Sequence, residues 1–270
     1  MADPAWKGRG LALAVAASLL MAVPAAAQAQ GAPRVTWGLE GLQAGFCVHF
    51  LLDPALVNRT PFRKADLVPL SEAVNVDASL RHAASESAEF AGWTPSAICT
   101  YHFGSTRRGN RVQHDDDKPQ VVAVWRLSAR SEDEPVPADV MASSFDLARQ
   151  LSRPGFKVTL VRSTAGKVPE STMDELRVVI DRSTTIVWSG SFAPDSTLAV
   201  GPGAERWRLR GTEESVWTGQ RTFQPTEALR MVGSVSVAGK TDLARVLQAS
   251  PIRWVGPLYR GGSGEISFFR

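Results

Sequence analysis

Short stretches in which apolar residues alternate with polar ones, or run together, recur along most of the chain. This pattern is typical of β-strands, because successive strand side chains point to opposite faces of a sheet. Trp207-Arg208-Leu209-Arg210, for example, alternates as a strand with one solvated face does. The segments that this pattern predicts as strands are 44–52, 97–103, 120–130, 156–162, 175–181, 184–189, 205–210, 215–223, 229–237 and 265–269.

Helical periodicity is confined to a few segments. Apolar residues recur at three- and four-residue intervals over 138–151, which ends before Pro154-Gly155, and this predicts a helix there. A second helix is expected over 241–249, with Thr241 as its cap, and a third over 77–86. Residues 53–57 could form a single turn. Many strands with two or three short helices indicate an α+β fold, predominantly antiparallel, built as a sandwich or a barrel.

The first 29 residues have the three-part layout of a secretory signal peptide. Lys7 and Arg9 precede an apolar run over 11–23, and Ala27-Gln28-Ala29 offers the small residues that a signal peptidase reads. The run is too short to span a bilayer, which takes about 20 residues. Residues 1–29 are therefore expected to be cleaved, with a cut after Ala27 as the alternative. The protein is therefore expected to be periplasmic or secreted.

Residues 30–270 are long enough for one β-rich domain. The acidic, proline-bearing segment over 131–137 could separate two halves, but a surface loop within one domain is the interpretation we favour. No later apolar run reaches about 18 residues, so no transmembrane segment is expected after cleavage.

The charge pattern argues against a nucleic-acid partner. The whole chain carries a formal charge of +3, from 30 basic and 27 acidic residues, and the two signs are interspersed. Binding to a nucleic-acid backbone needs clustered Lys and Arg. A small ligand or an envelope protein is the more plausible partner.

Cys47 and Cys99 are the only cysteines in the chain. An even count in an exported protein predicts a disulfide. The alternatives are two buried thiols or a catalytic cysteine, and no C-x-x-C spacing supports the latter.

One run of metal-ligating residue types stands out, at His114, Asp115, Asp116 and Asp117. Carboxylate and imidazole groups can bind calcium or zinc, which makes His114, Asp115 and Asp117 weak metal candidates. Neighbouring residues of an extended chain point to opposite sides, however, so a charged surface loop is the favoured interpretation and no metal or other cofactor is expected.

Two further histidines follow the cysteines, His49 at two residues and His102 at three. If a disulfide joins the two strands, both imidazoles could form an acid–base or zinc pair. The unequal offsets place His49 on the Cys47 face and His102 away from the Cys99 face, so we expect each to be a separate core or edge histidine with its hydrogen bonds satisfied.

Tryptophan is the unusual feature of the composition, with eight in the chain. Indoles can line a pocket for a hydrophobic or sugar-like ligand, because they combine a flat apolar face with one N–H donor. Trp125 and Trp188 lie in the most apolar strands and are expected inside. Trp207 and Trp217 lie in or beside Arg-bearing strands, so they are expected near a surface or groove and are the ligand-facing candidates.

Leu52-Asp53-Pro54-Ala55-Leu56, followed by Leu67-Val68-Pro69-Leu70-Ser71, resembles the opening of acetoacetate-decarboxylase-like β-barrels. The resemblance covers less than a tenth of the chain and implies a closed β-fold with a pocket. It also implies a Schiff-base lysine helped by a second lysine. No adjacent lysine pair exists here, which leaves that chemistry without its residues.

No motif for a catalytic nucleophile occurs, neither G-x-S-x-G nor H-E-x-x-H. The sequence therefore predicts an exported, soluble, β-rich protein of the cell envelope that binds a ligand or partner without catalysis. A hydrolase or decarboxylase-like enzyme with a pocketed β-fold is the alternative, and whether the protein is an enzyme stays open.

Overall fold

The computed structural model describes residues 37–74, 76–108, 111–114, 120–152, 158–163, 175–181, 183–194, 203–210 and 216–269. The expected signal peptide over 1–29 lies outside these residues.

Strands make up most of the described chain. They are β1 (Trp37–Leu52), β2 (Thr94–Arg108), β3 (Arg111–His114), β4 (Gln120–Leu127), β5 (Val136–Ala142), β6 (Thr159–Ser163), β7 (Glu175–Ile180), β8 (Thr184–Pro194), β9 (Gly203–Arg210), β10 (Val216–Gln224), β11 (Glu227–Ala238), β12 (Arg253–Val255), β13 (Leu258–Arg260) and β14 (Ser263–Phe269). Among the pairings of described strands, β5 with β6 and β5 with β9 are parallel and the others are antiparallel. The predominantly antiparallel α+β fold predicted from the sequence is confirmed.

In the described part of the chain, three short α-helices accompany the strands: α1 (Ala78–Ser85), α2 (Phe145–Ser152) and α3 (Asp242–Ala249). The Asp77 carboxylate caps α1 by accepting from two backbone N–H groups, and the Thr241 hydroxyl caps α3 by accepting from the N–H of Ala244. Shorter 3-10 turns cover Pro54–Arg59, Lys64–Asp66 and Ala88–Gly92. The helices expected over 77–86 and 241–249, and the turn over 53–57, are confirmed.

The helix predicted over 138–151 is wrong in its first half. Residues Val136–Ala142 form β5, and the helix begins only at Phe145. Six of the seven β5 residues are buried, because the strand pairs with β4 on one edge and with β6 and β9 on the other. Those long-range pairings override the helical spacing of Met141 and Phe145, and Phe145 is left 75% exposed.

The pairings close the strands into two rings that share β1, β2, β4 and β5. The seven-strand ring runs β1–β2–β4–β5–β9–β10–β14 and returns to β1. The nine-strand ring continues from β5 through β6, β7, β8, β11 and β13 before it returns to β1. The closed β-fold implied by the resemblance is therefore present, with two interiors on opposite faces of the shared strands.

The nine-strand interior is an apolar core. Phe50 of β1, Trp125 of β4 and Trp188 of β8 are at most 3% exposed within it. Helix α3 contributes Val246 and Leu247 to the same cluster. Each such large side chain stabilises the fold by roughly 1.5–3 kcal/mol through burial.

The seven-strand interior has a second apolar core on the other face of the shared strands. It contains Leu39, Tyr101, Trp207 and Phe268, all buried. Cys47 and Cys99 lie directly opposite each other in β1 and β2, with their Cα atoms 3.9 Å apart, and form a disulfide on this face.

Among the described residues, no helix is both long and apolar enough to cross a lipid bilayer.

Candidate functional site

Three charged side chains meet inside the seven-strand ring. Arg126 comes from the end of β4, Glu205 from the start of β9 and Arg221 from β10. Register brings two of them together, because Glu205 and Arg221 lie directly opposite each other across β9 and β10. All three side chains are only 14–15% exposed.

Glu205 is shared between the two arginines. One carboxylate oxygen lies 2.9 Å from Nη1 of Arg126, and the other lies 3.7 Å from Nη2 of Arg221. The indole N–H of Trp207 donates to the carboxylate at 2.8 Å. Burial by itself raises the pKa of Glu205, but both arginines and the indole lower it by more, so the net shift is downward and the carboxylate stays ionised at neutral pH.

Arg221 is held on several sides. Its Nη1 donates to the hydroxyl of Tyr101, and its guanidinium lies 4.4 Å from the ring centre of Phe223. Burial lowers the pKa of Arg221, yet Tyr101 and Glu205 raise it by more. Burial also raises the pKa of Tyr101, so the phenol is neutral at physiological pH.

The cluster has more positive than negative charge. Two arginines face one carboxylate, and the Nε atoms of Arg126 and Arg221 are buried with no hydrogen-bond partner among the described residues. Buried charges are costly unless they are paired and hydrogen-bonded. The arrangement can therefore accept an additional anion.

His49 is the titratable neighbour of this cluster. It is partly buried on β1, two residues after Cys47 and on the same face. Burial, followed by the positive charge of Arg126, lowers its pKa to about 4, against the opposing effects of Asp77 and Glu205. The imidazole is neutral at pH 7 and can act as a hydrogen-bond acceptor or a base.

A cavity of about 630 Å³ opens beside the three charged side chains. Arg126, Glu205 and Arg221 line its buried part, and the loop between β4 and β5 contributes Glu132 and Glu134, both exposed. Ligand cavities for small molecules have volumes of roughly 300–1,000 Å³. The segment over 131–137, which the sequence marked as a boundary or a surface loop, thus supplies one wall of this cavity.

Trp207 does not lie where the sequence predicted. It was expected near a surface or groove, but it is fully buried, because the ring closes around the face of β9 that it shares with Glu205. Its indole ring packs in the apolar core of the seven-strand interior, and its N–H donates to Glu205. The Trp217 side chain lies outside the described residues, and a ligand-facing role for either tryptophan stays a prediction.

The side chains of the three metal candidates lie outside the described residues. His114 ends β3, but its side chain and the whole of Asp115 and Asp117 lie outside the described residues. Within the part that the structure describes, no group of three or more His, Cys, Asp or Glu could hold a metal ion.

His102 lies on the opposite face of β2 from Tyr101, in the nine-strand interior, and so does not meet His49. It is 1% exposed, and neither ring nitrogen has a hydrogen-bond partner in the described part of the chain. Burial lowers its pKa to about 4. The two histidines are separate, as expected, but the expectation of satisfied hydrogen bonds is wrong for His102, because the described side chains of the nine-strand cluster around it are apolar.

The residues that the resemblance implied for Schiff-base chemistry are not brought to the cavity in the described part. Lys64 and Lys240 are exposed and do not line it, and Lys118, Lys157 and Lys167 lie outside the described residues.

Sequence reasoning missed Arg126, Glu205 and Arg221 as site residues. One signal was available, because Glu205 and Trp207 are two residues apart and must share a strand face. A charged residue on the face of an apolar tryptophan indicates either an exposed groove or a paired interior charge. The arginines gave no such signal, since only the ring closure brings β4 and β10 together.

Comparison with known proteins gave no matching family model and no matching curated protein. Among solved structures, the chain is similar to an acetoacetate decarboxylase from Legionella pneumophila at 9% identity, with 89% of each chain covered and a TM-score of 0.44. A second acetoacetate decarboxylase matches at 12% identity, with 88% of each chain covered and a TM-score of 0.43. The enduracididine biosynthesis enzyme MppR, solved with the condensation product of pyruvate and imidazole 4-carboxaldehyde, matches at 12% identity, with 96% of each chain covered and a TM-score of 0.42. Such low TM-scores and identities transfer none of those activities to this chain.

Proposed function

We propose that the protein binds a small organic anion, of the carboxylate class, in the cavity of the seven-strand ring. The observation that carries this proposal is the unequal charge of the buried cluster, in which Arg126 and Arg221 share the single carboxylate of Glu205. A ligand carboxylate would balance the second arginine and accept from its guanidinium. Arginine suits this role, because its planar donors match a carboxylate with two parallel hydrogen bonds.

This ligand class replaces the hydrophobic or sugar-like ligand expected from the tryptophan content. The charged groups around the cavity favour an anion over either of those, and the indole N–H of Trp207 beside them is engaged by Glu205. Its contact with the cluster makes indole fluorescence a convenient reporter of binding.

An enzyme that acts on the bound anion is the second candidate. It is favoured by the electrostatic interactions of His49 and Tyr101 with Glu205 and Arg126, because titratable groups with shifted pKa values gather at catalytic sites. In this role the neutral His49 imidazole would accept a proton, and Arg126 and Arg221 would hold the negative charge of the substrate.

Calorimetric titration with a panel of small carboxylates tests the binding proposal. We expect a carboxylate to bind the wild type and to bind Arg221→Gln at least tenfold more weakly, since a charge-assisted hydrogen bond contributes about 1.5–3 kcal/mol. Arg245→Gln, which changes an exposed arginine of α3, is the matched control and should bind as the wild type does. If no carboxylate binds while an uncharged sugar or lipid does, the proposal is wrong.

Proton NMR of the wild type incubated with oxo-carboxylates separates the enzyme from the passive binder. The enzyme candidate predicts consumption of at least one bound substrate and loss of turnover in His49→Gln with binding retained. If substrates bind and none is consumed over a day, the passive role stands.

Export of the mature protein, 30–270, to the periplasm or the cell exterior is part of the same proposal. It is supported by the layout of residues 1–29 and by the facing cysteines. N-terminal sequencing of the native protein should begin at Gln30 or Gln28, and thiol labelling of the unfolded, unreduced protein should find no free group. Retention of Met1 in a cytosolic protein with two reactive thiols would contradict export.

A further inference from the structure

The positive and negative charges that line the cavity lie in different parts of it, the excess positive charge in the buried part and the excess negative charge in the exposed part. In the buried part, Arg126 and Arg221 exceed Glu205 by one positive charge. In the exposed part, Glu132 and Glu134 exceed Arg206 by one negative charge. Among the described lining residues, the charge is therefore positive at the inner end of the cavity and negative at its outer end.

Arg206, the exposed arginine, is hydrogen-bonded to the loop between β4 and β5. Nη2 of Arg206 donates to the backbone carbonyl of Asp133 at 2.5 Å. This contact fixes the loop over the start of β9 and directs the Arg206 charge toward the backbone. The loop is held on its other side as well, because the backbone N–H of Arg130 donates to the Glu134 carboxylate at 3.4 Å and Nε of Arg130 donates to Glu72 at 3.2 Å.

We propose that the ligand is a zwitterion, with a carboxylate at the buried arginines and an ammonium or guanidinium group at Glu132 and Glu134. This inference rests on the proposed function, since it names the class of carboxylate that the same cavity selects. A ligand with opposite charges at its two ends matches both ends of the cavity, whereas a dicarboxylate would bring a negative charge to the acidic outer end. Such like-charge contacts suppress the wrong ligand, and the opposite-charge contacts at the outer end add affinity.

The experiment compares three ligand series by calorimetry at low salt: plain straight-chain carboxylates, the matching ω-amino carboxylates and the matching dicarboxylates. Chains of two to six methylene groups are used, so that the span of the cavity selects among them. We expect the best amino carboxylate to bind about three- to fivefold more tightly than its plain counterpart, because exposed charge pairs contribute up to about 1 kcal/mol. The dicarboxylate should bind most weakly, and added salt should reduce the preference.

The double variant Glu132→Gln with Glu134→Gln should reverse the order of the first two series. Removal of the two outer charges weakens the amino carboxylate and tightens the plain carboxylate, a change of sign that a general loss of folding would not produce. Glu86→Gln with Glu89→Gln is the charge-matched control, since both carboxylates are exposed and neither lines the cavity. It should leave both affinities unchanged.

The outcomes separate this inference from the proposed function. If plain carboxylates or dicarboxylates bind the wild type as tightly as amino carboxylates do, the zwitterion is overturned and carboxylate binding stands. An unchanged preference in the double variant also overturns the zwitterion. If none of the three series binds, both proposals are overturned.

Discussion

The two interiors of this molecule share four strands, β1, β2, β4 and β5, yet differ in character. Trp125 and Arg126 are neighbours in β4, but Trp125 packs into the apolar nine-strand interior and Arg126 into the charged end of the seven-strand interior. The alternation of a strand therefore divides one segment between a stabilising core and a candidate site. The register of the shared strands is therefore strongly specified, because a one-residue shift would exchange their two faces.

The two interiors also differ in how far the hydrogen bonds of their polar side chains are satisfied. The charged end pairs Glu205 with two arginines and an indole N–H. The nine-strand interior contains Thr100 and His102, whose side-chain polar atoms have no hydrogen-bond partner among the described residues. Polar groups in the first interior form a network, and those in the second are tolerated while uncharged.

The largest expected effect is on the apolar interior alone. Trp188→Ala should lower the free energy of unfolding by about 3–5 kcal/mol, because it leaves a cavity in a core where this side chain is 1% exposed. Urea denaturation measures the change. Phe145→Ala, at a side chain 75% exposed, is the control and should cost no more than about 0.5 kcal/mol. A cost below about 1 kcal/mol for Trp188→Ala would show that the nine-strand interior is not close-packed.

Next in size is an effect that is specific to the charged interior. Glu205→Gln should lower the free energy of unfolding by about 3 kcal/mol, since it leaves two buried arginines without their counter-charge. The same variant should bind a carboxylate more tightly than the wild type, and added carboxylate should raise its melting temperature more. Scanning calorimetry with and without the ligand measures both effects.

Glu227→Gln, at an ion pair with a half-exposed carboxylate, is the control and should change neither the stability nor the carboxylate binding. Weaker carboxylate binding by Glu205→Gln would contradict the charge argument.

Acid should destabilise the nine-strand interior through His102. Its pKa is about 4 in the folded protein against an ordinary 6.5, so the unfolded chain takes up the proton first as the pH falls. The stabilising effect of the neutral histidine is complete above pH 6.5 and is lost between pH 6.5 and 4, by about 3 kcal/mol. Urea denaturation across this window should show the loss, and His102→Leu should reduce the slope without abolishing it, because His49, whose pKa is also about 4, contributes a slope of the same sign. A slope that is equal in both proteins would mean that His102 is not buried in its neutral form.

The smallest effect is expected at the hydrogen bond between Tyr101 and Arg221. Tyr101→Phe removes the hydroxyl that accepts from Arg221, and should lower the free energy of unfolding by about 1 kcal/mol. Because Nη1 of Arg221 then lacks an acceptor, added carboxylate should raise the melting temperature of the variant by more than that of the wild type. An equal shift in both proteins would place the ligand away from Arg221.

The strand pattern could be predicted from the sequence, and the site could not. Alternation located the strands over 205–210 and 229–237 because it depends only on neighbouring residues. β5 was missed, since Met141 and Phe145 fit helical spacing equally well and only the pairing with β4 and β9 decides between the two. The cluster of Arg126, Glu205 and Arg221 depends on ring closure between segments far apart in the chain, which no local pattern reports.

The most direct measurement is a crystal structure of the protein with the tightest-binding carboxylate of the panel. The account predicts the ligand carboxylate in the seven-strand cavity, with its oxygens at about 2.7–2.9 Å from guanidinium nitrogens of Arg126 or Arg221. A carboxylate bound elsewhere on the molecule, with both arginines still sharing only Glu205, would contradict it.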